Sequence, residues 1–412
     1  MANHEKLDQS LGPIGPVTEK QRIEQLDVLR GIAVLGIFVM NVQAFSMPVI
    51  LYIDPMAMGE INRAEYFAWH ITQVLANTKF MAIFTVLFGA GLAMMAAKAK
   101  AAQRSTSGIQ YRRLGWLLLI GLIHAYFLFY GDVLVSYALL GMLVWLLVGL
   151  PIPAMLAIAG ASLGMWFLEM FSFTSFMATE AAAKGGEMWQ MGPEEIELEM
   201  SHRSGSFADQ LRWRIPTAIE VQIWWTLVLA GLKTIALMLI GAVLLRWSLL
   251  RGRHRAAEWS MLIGGLALGL PLVLVAVELA SGTENTPVGI GLIECMKEFG
   301  NLALAAAWIG GVLLLCRSES LRWLRTVLAP VGRMALTAYI LESVIAGWIF
   351  YGHGLGWIGR VDRVEQFYVV AVVWIVLIVG CSLWMTWFRF GPLEWIWRML
   401  TYWRFEVIRR GD

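Results

Sequence analysis

The amino-acid sequence predicts an all-α, polytopic integral membrane bundle of about ten transmembrane helices with both termini cytoplasmic. Three observations predict it. Of the 412 residues, 58% are hydrophobic and only 15% charged, with a mean hydropathy of +0.65. A soluble domain that apolar has too little polar surface to cover itself. Apolar runs of about 20 residues, enough to span a hydrocarbon core of about 30 Å, recur along the whole chain. Basic residues also collect in alternate connecting segments, the pattern left by their resistance to export.

The runs fall at 28–47, 80–98, 114–131, 133–150, 152–171, 226–246, 259–280, 298–316, 327–350 and 367–388. Pro151 and Pro153 divide the long apolar stretch 133–171 into two helices. With the N-terminus inside, 21 of the 32 Lys and Arg fall in cytoplasmic segments and 19 of the 30 acids fall outside. An even number of spans closes this alternation, so both ends lie on the cytoplasmic side of a bacterial-type plasma (inner) membrane. Residues 1–22 are polar and contain Pro13 and Pro16, so they read as a disordered cytoplasmic tail rather than a signal peptide. Residues 23–390 form a single transmembrane bundle. Residues 391–412 form a cytoplasmic interfacial helix, with Trp395, Trp397 and Trp403 among Arg398 and Arg404.

Two outside segments stand apart. Residues 172–225 carry Glu194, Glu195, Glu197 and Glu199, then His202, Arg203, Asp209, Arg212 and Arg214, and are long enough to fold over the bundle. Residues 48–79, with Trp69 and His70, lie along the interface. No internal repeat of the kind many transporters carry is visible.

The net charge of +2 gives no reason to expect a nucleic-acid partner. The expected partners are membrane lipids and a small-molecule or lipid/glycan acceptor, and a homodimer is compatible with such a bundle. Cys295, Cys316 and Cys381 are far apart and read as small apolar side chains rather than metal ligands or a disulfide. His124 has no second His at i+4, and neither a Walker loop nor a serine nucleophile elbow is present; the expected metal is none.

An ionisable group inside a span is costly, so each is a candidate for function. In the first span, Asp27 and Arg30 share a face at the cytoplasmic boundary, and Asn41, about three turns on, lies on that face as helix glue or as part of a site. Lys79 opens the second span, either snorkelling or facing a cavity, and Gly89 with Gly91 suits close helix packing. The third span carries His124 near mid-bilayer. Asp132 follows about 12 Å along the helix at the outer mouth, either beyond a packed histidine or in a polar cavity with it. Lys233 lies inside the sixth span. The ninth holds Arg333 and Thr337 on one face and Tyr339 and Glu342 on another, which makes Glu342 and Lys233 partners by depth. His353 and Arg360 read as exposed-loop residues.

Five blocks, LDVLRGIAVLGIFVMNVQAF, KFMAIFTVLFGAG, GLIHAYFLFYGDVLVSYALLG, GRMALTAYILES and FGPLEWIWRMLTY, together resemble the YeiB family, whose C-terminal domain is of unknown function. The opening LDVLRG…FVMN is also similar to the first span of membrane acyltransferases such as heparan-alpha-glucosaminide N-acetyltransferase. That resemblance implies an acyl group taken from a cytosolic donor such as acetyl-CoA and delivered across the membrane, with Asn41 in the place of a working asparagine. The partnering histidine of that pattern is missing, since no His occurs between Asn41 and His70. On this reading Arg30 and Arg333, with Arg112 or Arg113, hold the donor phosphates; His124, steered by Asp132, is the general base; and Asn41 orients the acyl carbonyl or the base. Acyl-CoA is then a co-substrate and no cofactor is bound tightly. The alternative is a transporter or a lipid- or solute-binding protein in which Lys79, Lys233, Tyr339, Glu342, His124 and Asp132 line a pathway.

Overall fold

The computed structural model describes residues 22–59, 61–103, 106–183, 191–280 and 286–410. All but the last residue of the predicted N-terminal tail lies outside them. Helix occupies most of each of the ten apolar runs. In chain order the helices are α1 (Glu24–Ser46), α2 (Val49–Ile53), α3 (Arg63–Leu75), α4 (Lys79–Ala101), α5 (Ser107–Phe127), α6 (Leu134–Leu147), α7 (Ile152–Ala183), α8 (Pro193–Ser204) and α9 (Phe207–Glu220). There follow α10 (Gly231–Arg246), α11 (Arg255–Ala280), α12 (Pro287–Arg317), α13 (Arg322–Arg333), α14 (Ala335–Phe350), α15 (Arg363–Trp387) and α16 (Pro392–Tyr402). Among the described residues, six helices are long and apolar enough to cross a membrane by themselves, and up to eight if each sharply bent pair counts as one span. Of the other predicted spans, α5 carries Arg112, Arg113 and His124, and α6 has only 14 residues.

Helix α1 runs through the middle of the bundle and is buried along most of its length, whereas α7, α11 and α15 turn broad apolar faces outward to lipid. Small residues let its neighbours close in. Gly332 on α13 packs directly on the Asp27 carbonyl, and Gly31 on the Leu328 carbonyl, so neither site has room for a Cβ. Gly89 of α4 does the same against the Met238 carbonyl of α10, as the sequence suggests; Gly91 meets no neighbour within 4 Å. Tight backbone contact is what small residues supply where lipid removes the hydrophobic driving force between helices.

Two predicted spans are broken. The run 327–350 bends by 82° between α13 and α14. Pro330 lies in the last turn of α13, and Met334 separates the two helices. The freed N–H groups that open α14 are capped by a side chain from elsewhere. Glu394 of α16 accepts from the backbone N–H of Leu336 (2.7 Å) and Thr337 (3.0 Å). Arg333 and Thr337 therefore do not share a helix face: Arg333 ends one helix and Thr337 turns to Glu394 at the start of the next. The run 226–246 follows α9 through a π-helical segment, Val221–Val228, with a 60° bend before α10.

Past α7, the described part of the segment 172–225 folds over one end of the bundle, with Glu194, Glu195 and Glu197 exposed and Glu199 and Arg203 buried. Arg203 of α8 is 1% exposed and donates to the carbonyls of Ala44 (2.5 Å), Phe45 (2.9 Å) and Met47 (2.9 Å), which satisfies the C-terminus of α1. Glu199, one turn earlier, pairs with Arg203 and accepts from Val49 N–H. Arg214 of α9 donates to the Phe127 carbonyl at the end of α5 (2.7 Å). Arginines thus tie the cover to the ends of α1 and α5.

Candidate functional site

The site begins where α5 stops. After Phe127 the chain turns, and α6 starts at Leu134. Asp132 does not continue outward along the helix as the sequence suggests. The turn folds it back onto His124, so the expected separation of about 12 Å becomes a hydrogen bond of 2.7 Å between Asp132 Oδ2 and His124 Nδ1. Its other oxygen accepts from Val135 N–H at 2.9 Å and caps the start of α6. The carboxylate is therefore held from both sides. Both side chains are 0% exposed.

The second imidazole nitrogen is also engaged. His124 Nε2 lies 2.8 Å from Ser343 Oγ, in the middle of α14. A carboxylate can only accept, so the proton between it and the ring sits on Nδ1; in the neutral ring Nε2 then accepts from the serine hydroxyl. Asp132, His124 and Ser343 form a carboxylate–imidazole–hydroxyl chain, the arrangement that withdraws a serine proton. The His124 ring packs 4.8 Å from the Tyr339 ring, one turn before Ser343 on α14.

Two cavities approach this chain from opposite ends of α14. The first, of about 290 Å³, opens between α1, α4, α5, the break before α14, and α16. Its mouth is basic. Arg22, Arg30, Lys98, Arg113, Arg333 and Arg398 line it against only two acids, Asp27 and Glu394. Those acids are already committed: Asp27 to Arg30 (3.4 Å) and Arg22 (3.7 Å), Glu394 to the start of α14. Aromatic rings steady several of the cations, with Arg113 4.7 Å from the Trp397 ring and Arg398 4.0 Å from that of Phe390. Arg22 and Arg30 keep 21% and 27% of their side chains exposed, so this end meets solvent. Inward the walls turn apolar, through Phe84, Leu87, Leu117 and Leu134, and Tyr339 is among the lining residues there.

The second cavity, of about 310 Å³, lies at the other end of α14 beneath α9. Ser343 lines it, with Phe127, Phe207, Trp348, Tyr351, Arg214 and His353. His353 is exposed in the loop after α14, as the sequence suggests, and bonds Gln210 Oε1 through Nδ1 at 2.8 Å. Partial burial, and then the neighbouring Arg214 charge, lower its pKa from the usual histidine value.

The residues singled out from sequence divide cleanly. Arg30, Arg333 and Tyr339 line the first cavity, and His124 and Asp132 form the chain behind it. Asn41 is half-buried, lines neither of these two cavities and makes no hydrogen bond with His124 or Asp132. Glu342 is 1% exposed and is not Lys233's partner, nor does it line either cavity. Lys233 instead pairs with Glu298 of α12 at 2.9 Å, because α10 and α12 both pack against α4 and α7 and Lys233 stands in the first turn of α10. Lys79 does not snorkel and faces neither cavity. It is fully buried and donates to Gln73 O (2.6 Å), Asn77 O (3.1 Å) and Asn301 Oδ1 (2.6 Å).

Ser343 was not legible in advance. It follows Glu342 directly, and in a sequence the carboxylate draws the attention; only its i+4 spacing from Tyr339 hints at a shared face. The described residues contain no cluster of three or more His, Cys, Asp or Glu side chains suited to a metal ion.

Comparison with known proteins shows the same sequence pattern over nearly the full chain. The uncharacterized protein YeiB of Escherichia coli (strain K12) is 30% identical over 400 residues, which cover 92% of this chain and 96% of that one. The uncharacterized protein YxaH of Bacillus subtilis (strain 168) is 30% identical over 417 residues, 97% of this chain and 99% of its own. An uncharacterized 39.9 kDa protein from the amylase 3' region of Bacillus acidopullulyticus is 26% identical over 400 residues, 94% and 96% of the two chains. A family model described as a protein of unknown function (DUF418) matches residues 244–404, from the end of α10 through α16.

Proposed function

The chain belongs to the YeiB family, and from that premise and its two cavities we propose a membrane acyltransferase that takes an acyl group from a cytosolic acyl-CoA-type donor and passes it to an acceptor on the outer side. One observation carries the reading. A single imidazole stands between a basic-mouthed, apolar-walled cavity and a second cavity at the opposite end of the same helix.

An acyl-CoA is itself amphipathic, with phosphates at one end and a thioester at the end of an uncharged arm. Arg22, Arg30, Arg398 and Lys98 suit the phosphates, and the apolar walls suit the arm. The thioester then arrives beside Tyr339, against the ring of His124. The basic mouth is the cytoplasmic end by the bias of the positive residues, which puts both termini in the cytoplasm of a bacterial plasma membrane. The aromatic walls, Arg214 and His353 of the second cavity suit a hydroxyl- or amine-bearing acceptor, such as a glycan or a lipid headgroup.

The direct test is acetyl-CoA binding and hydrolysis by the purified protein in detergent. We expect saturable binding weakened in Arg30→Ala and turnover lost in His124→Ala with the fold retained. Absence of binding to acetyl-CoA and to a longer acyl-CoA would sink the reading. A solute pathway is the second reading, favoured by Glu342, which is buried with no hydrogen-bond partner on either carboxylate oxygen. It predicts solute flux in proteoliposomes that Glu342→Gln changes.

A further inference from the structure

We propose that Ser343 is the nucleophile of the reaction and carries the acyl group, as a serine ester, from the donor cavity to the acceptor cavity. This rests on the acyltransferase reading above and deepens it, because it turns two separate binding spaces into consecutive half-reactions.

Three observations lead to it. First, His124 has no ring nitrogen left for a substrate. Nδ1 is bound to Asp132 at 2.7 Å and Nε2 to Ser343 at 2.8 Å, and the residue is 1% exposed. The first proton it can take is therefore that of the serine hydroxyl. Second, Ser343 lines the second cavity while Tyr339, four residues earlier, lines the first. Positions i and i+4 share a helix face and lie about 6 Å apart along the axis. The partition between the cavities is therefore one helical turn thick, and of its two hydroxyls, on Tyr339 and Ser343, it is Ser343 that meets His124. Third, the carboxylate that polarises the ring is fixed from both sides, by the ring and by the N–H of Val135. An imidazole held in one tautomer with its acceptor nitrogen on a hydroxyl is an activated serine rather than a resting histidine.

The chemistry balances without any redox partner. Ser343 Oγ adds to the thioester carbonyl carbon as its proton passes to His124 Nε2. Collapse of the adduct breaks the carbon–sulfur bond, leaves the acyl group as an ester on Ser343, and expels the coenzyme A thiolate, which takes the proton from His124 and departs as the thiol. In the second half an acceptor hydroxyl or amine in the outer cavity gives its proton to His124 Nε2 and adds to the ester carbonyl. Collapse returns the proton to Ser343 Oγ and releases the acylated acceptor. Tyr339, whose ring stands at the inner side of the partition, must swing aside for the first half.

The experiment uses the full-length protein in detergent with acetyl-CoA labelled in its acetyl group and no acceptor, quenched in acid and denatured. Wild-type protein should retain one acetyl group per chain, mapped to Ser343 by peptide mass analysis. Ser343→Ala should bind acetyl-CoA within about twofold of wild type yet lose label and turnover by more than ~100-fold. Ser343→Cys should keep the label in a form released by neutral hydroxylamine, which guards against a Ser343→Ala protein that fails to fold. Binding or turnover by wild type with no trapped label, label mapped to another residue, or full turnover by Ser343→Ala would each overturn the carrier role and leave the acyltransferase reading in place. Failure to bind any acyl-CoA would remove both.

Discussion

Two buried polar clusters of this bundle invite comparison. One is the Asp132–His124–Ser343 chain; the other links Lys79, Asn301, Glu298 and Lys233 across α4, α12 and α10. The second has more charge and would draw more notice on charge alone. Yet every donor of Lys79 has a partner, Lys233 has both a carboxylate and the face of Trp166 at 4.6 Å, and neither lysine lines either of the two cavities. That cluster is closed, and what it does is join helices. The first cluster has one group, the serine hydroxyl, at the wall of a cavity, and its imidazole abuts a ring that walls another. Charge inside a membrane marks a candidate; access to space that a ligand can enter separates chemistry from scaffolding.

The difference can be broken by experiment. The largest expected effect is on turnover: His124→Ala should lower it by at least ~100-fold, the size of a lost general base, and should also lower the melting temperature because it leaves the buried Asp132 carboxylate without the ring. The paired change Lys233→Met with Glu298→Gln should leave turnover within a few-fold. A dead but well-folded pair variant would make the second cluster part of the site. Next in size is stability. Glu298→Ala alone strands a buried lysine and should cost about 3–5 kcal/mol, read as a lower melting temperature in detergent, whereas the pair variant should recover most of it. If the single change is silent, the cluster holds nothing together.

Smaller effects sharpen the picture at the cavity ends. Arg30→Ala should weaken acetyl-CoA binding by about tenfold, more at low salt than at high, with turnover at saturating donor nearly unchanged. Unchanged affinity would move the donor phosphates away from this mouth. The smallest concerns His353. Its pKa is lowered by burial and by Arg214, so between the folded value and the ordinary histidine value the unfolded chain binds more protons. Its contribution to stability is therefore full above about pH 6.5 and is lost as pH falls through the folded value. Melting temperatures compared at about pH 7 and about pH 5.5 should differ less in His353→Gln than in wild type; an equal difference removes His353 from the acidic response.

Much of the architecture was legible because a membrane imposes few choices. Apolar runs of span length mark helices, and Arg30, Arg333, His124 and Asp132 stood out as ionisable groups in apolar surroundings. Two of the misreadings share one cause, a continuous helix read across positions where the chain turns. Asp132 seemed two turns beyond His124 because the end of α5 at Phe127 leaves no strong mark in an apolar run. Arg333 and Thr337 share a face only on a straight helix, and the chain bends by 82° between them, just past Pro330. Lys233 was paired by depth with Glu342, and depth does not say which helices are neighbours.

By itself the sequence determined that the chain crosses a membrane many times as helices, and which side chains are too polar to be there without a reason. Those are local properties, set by the cost of burying backbone and charged groups in hydrocarbon. Only the tertiary structure decided that Ser343 meets His124 across 219 residues of chain and that Lys79 is tied down by Asn301. It alone also placed a cavity at each end of α14. Hydrogen bonds form between groups brought within about 3 Å, and in a bundle of this size that proximity is a property of helix packing, not of spacing along the chain.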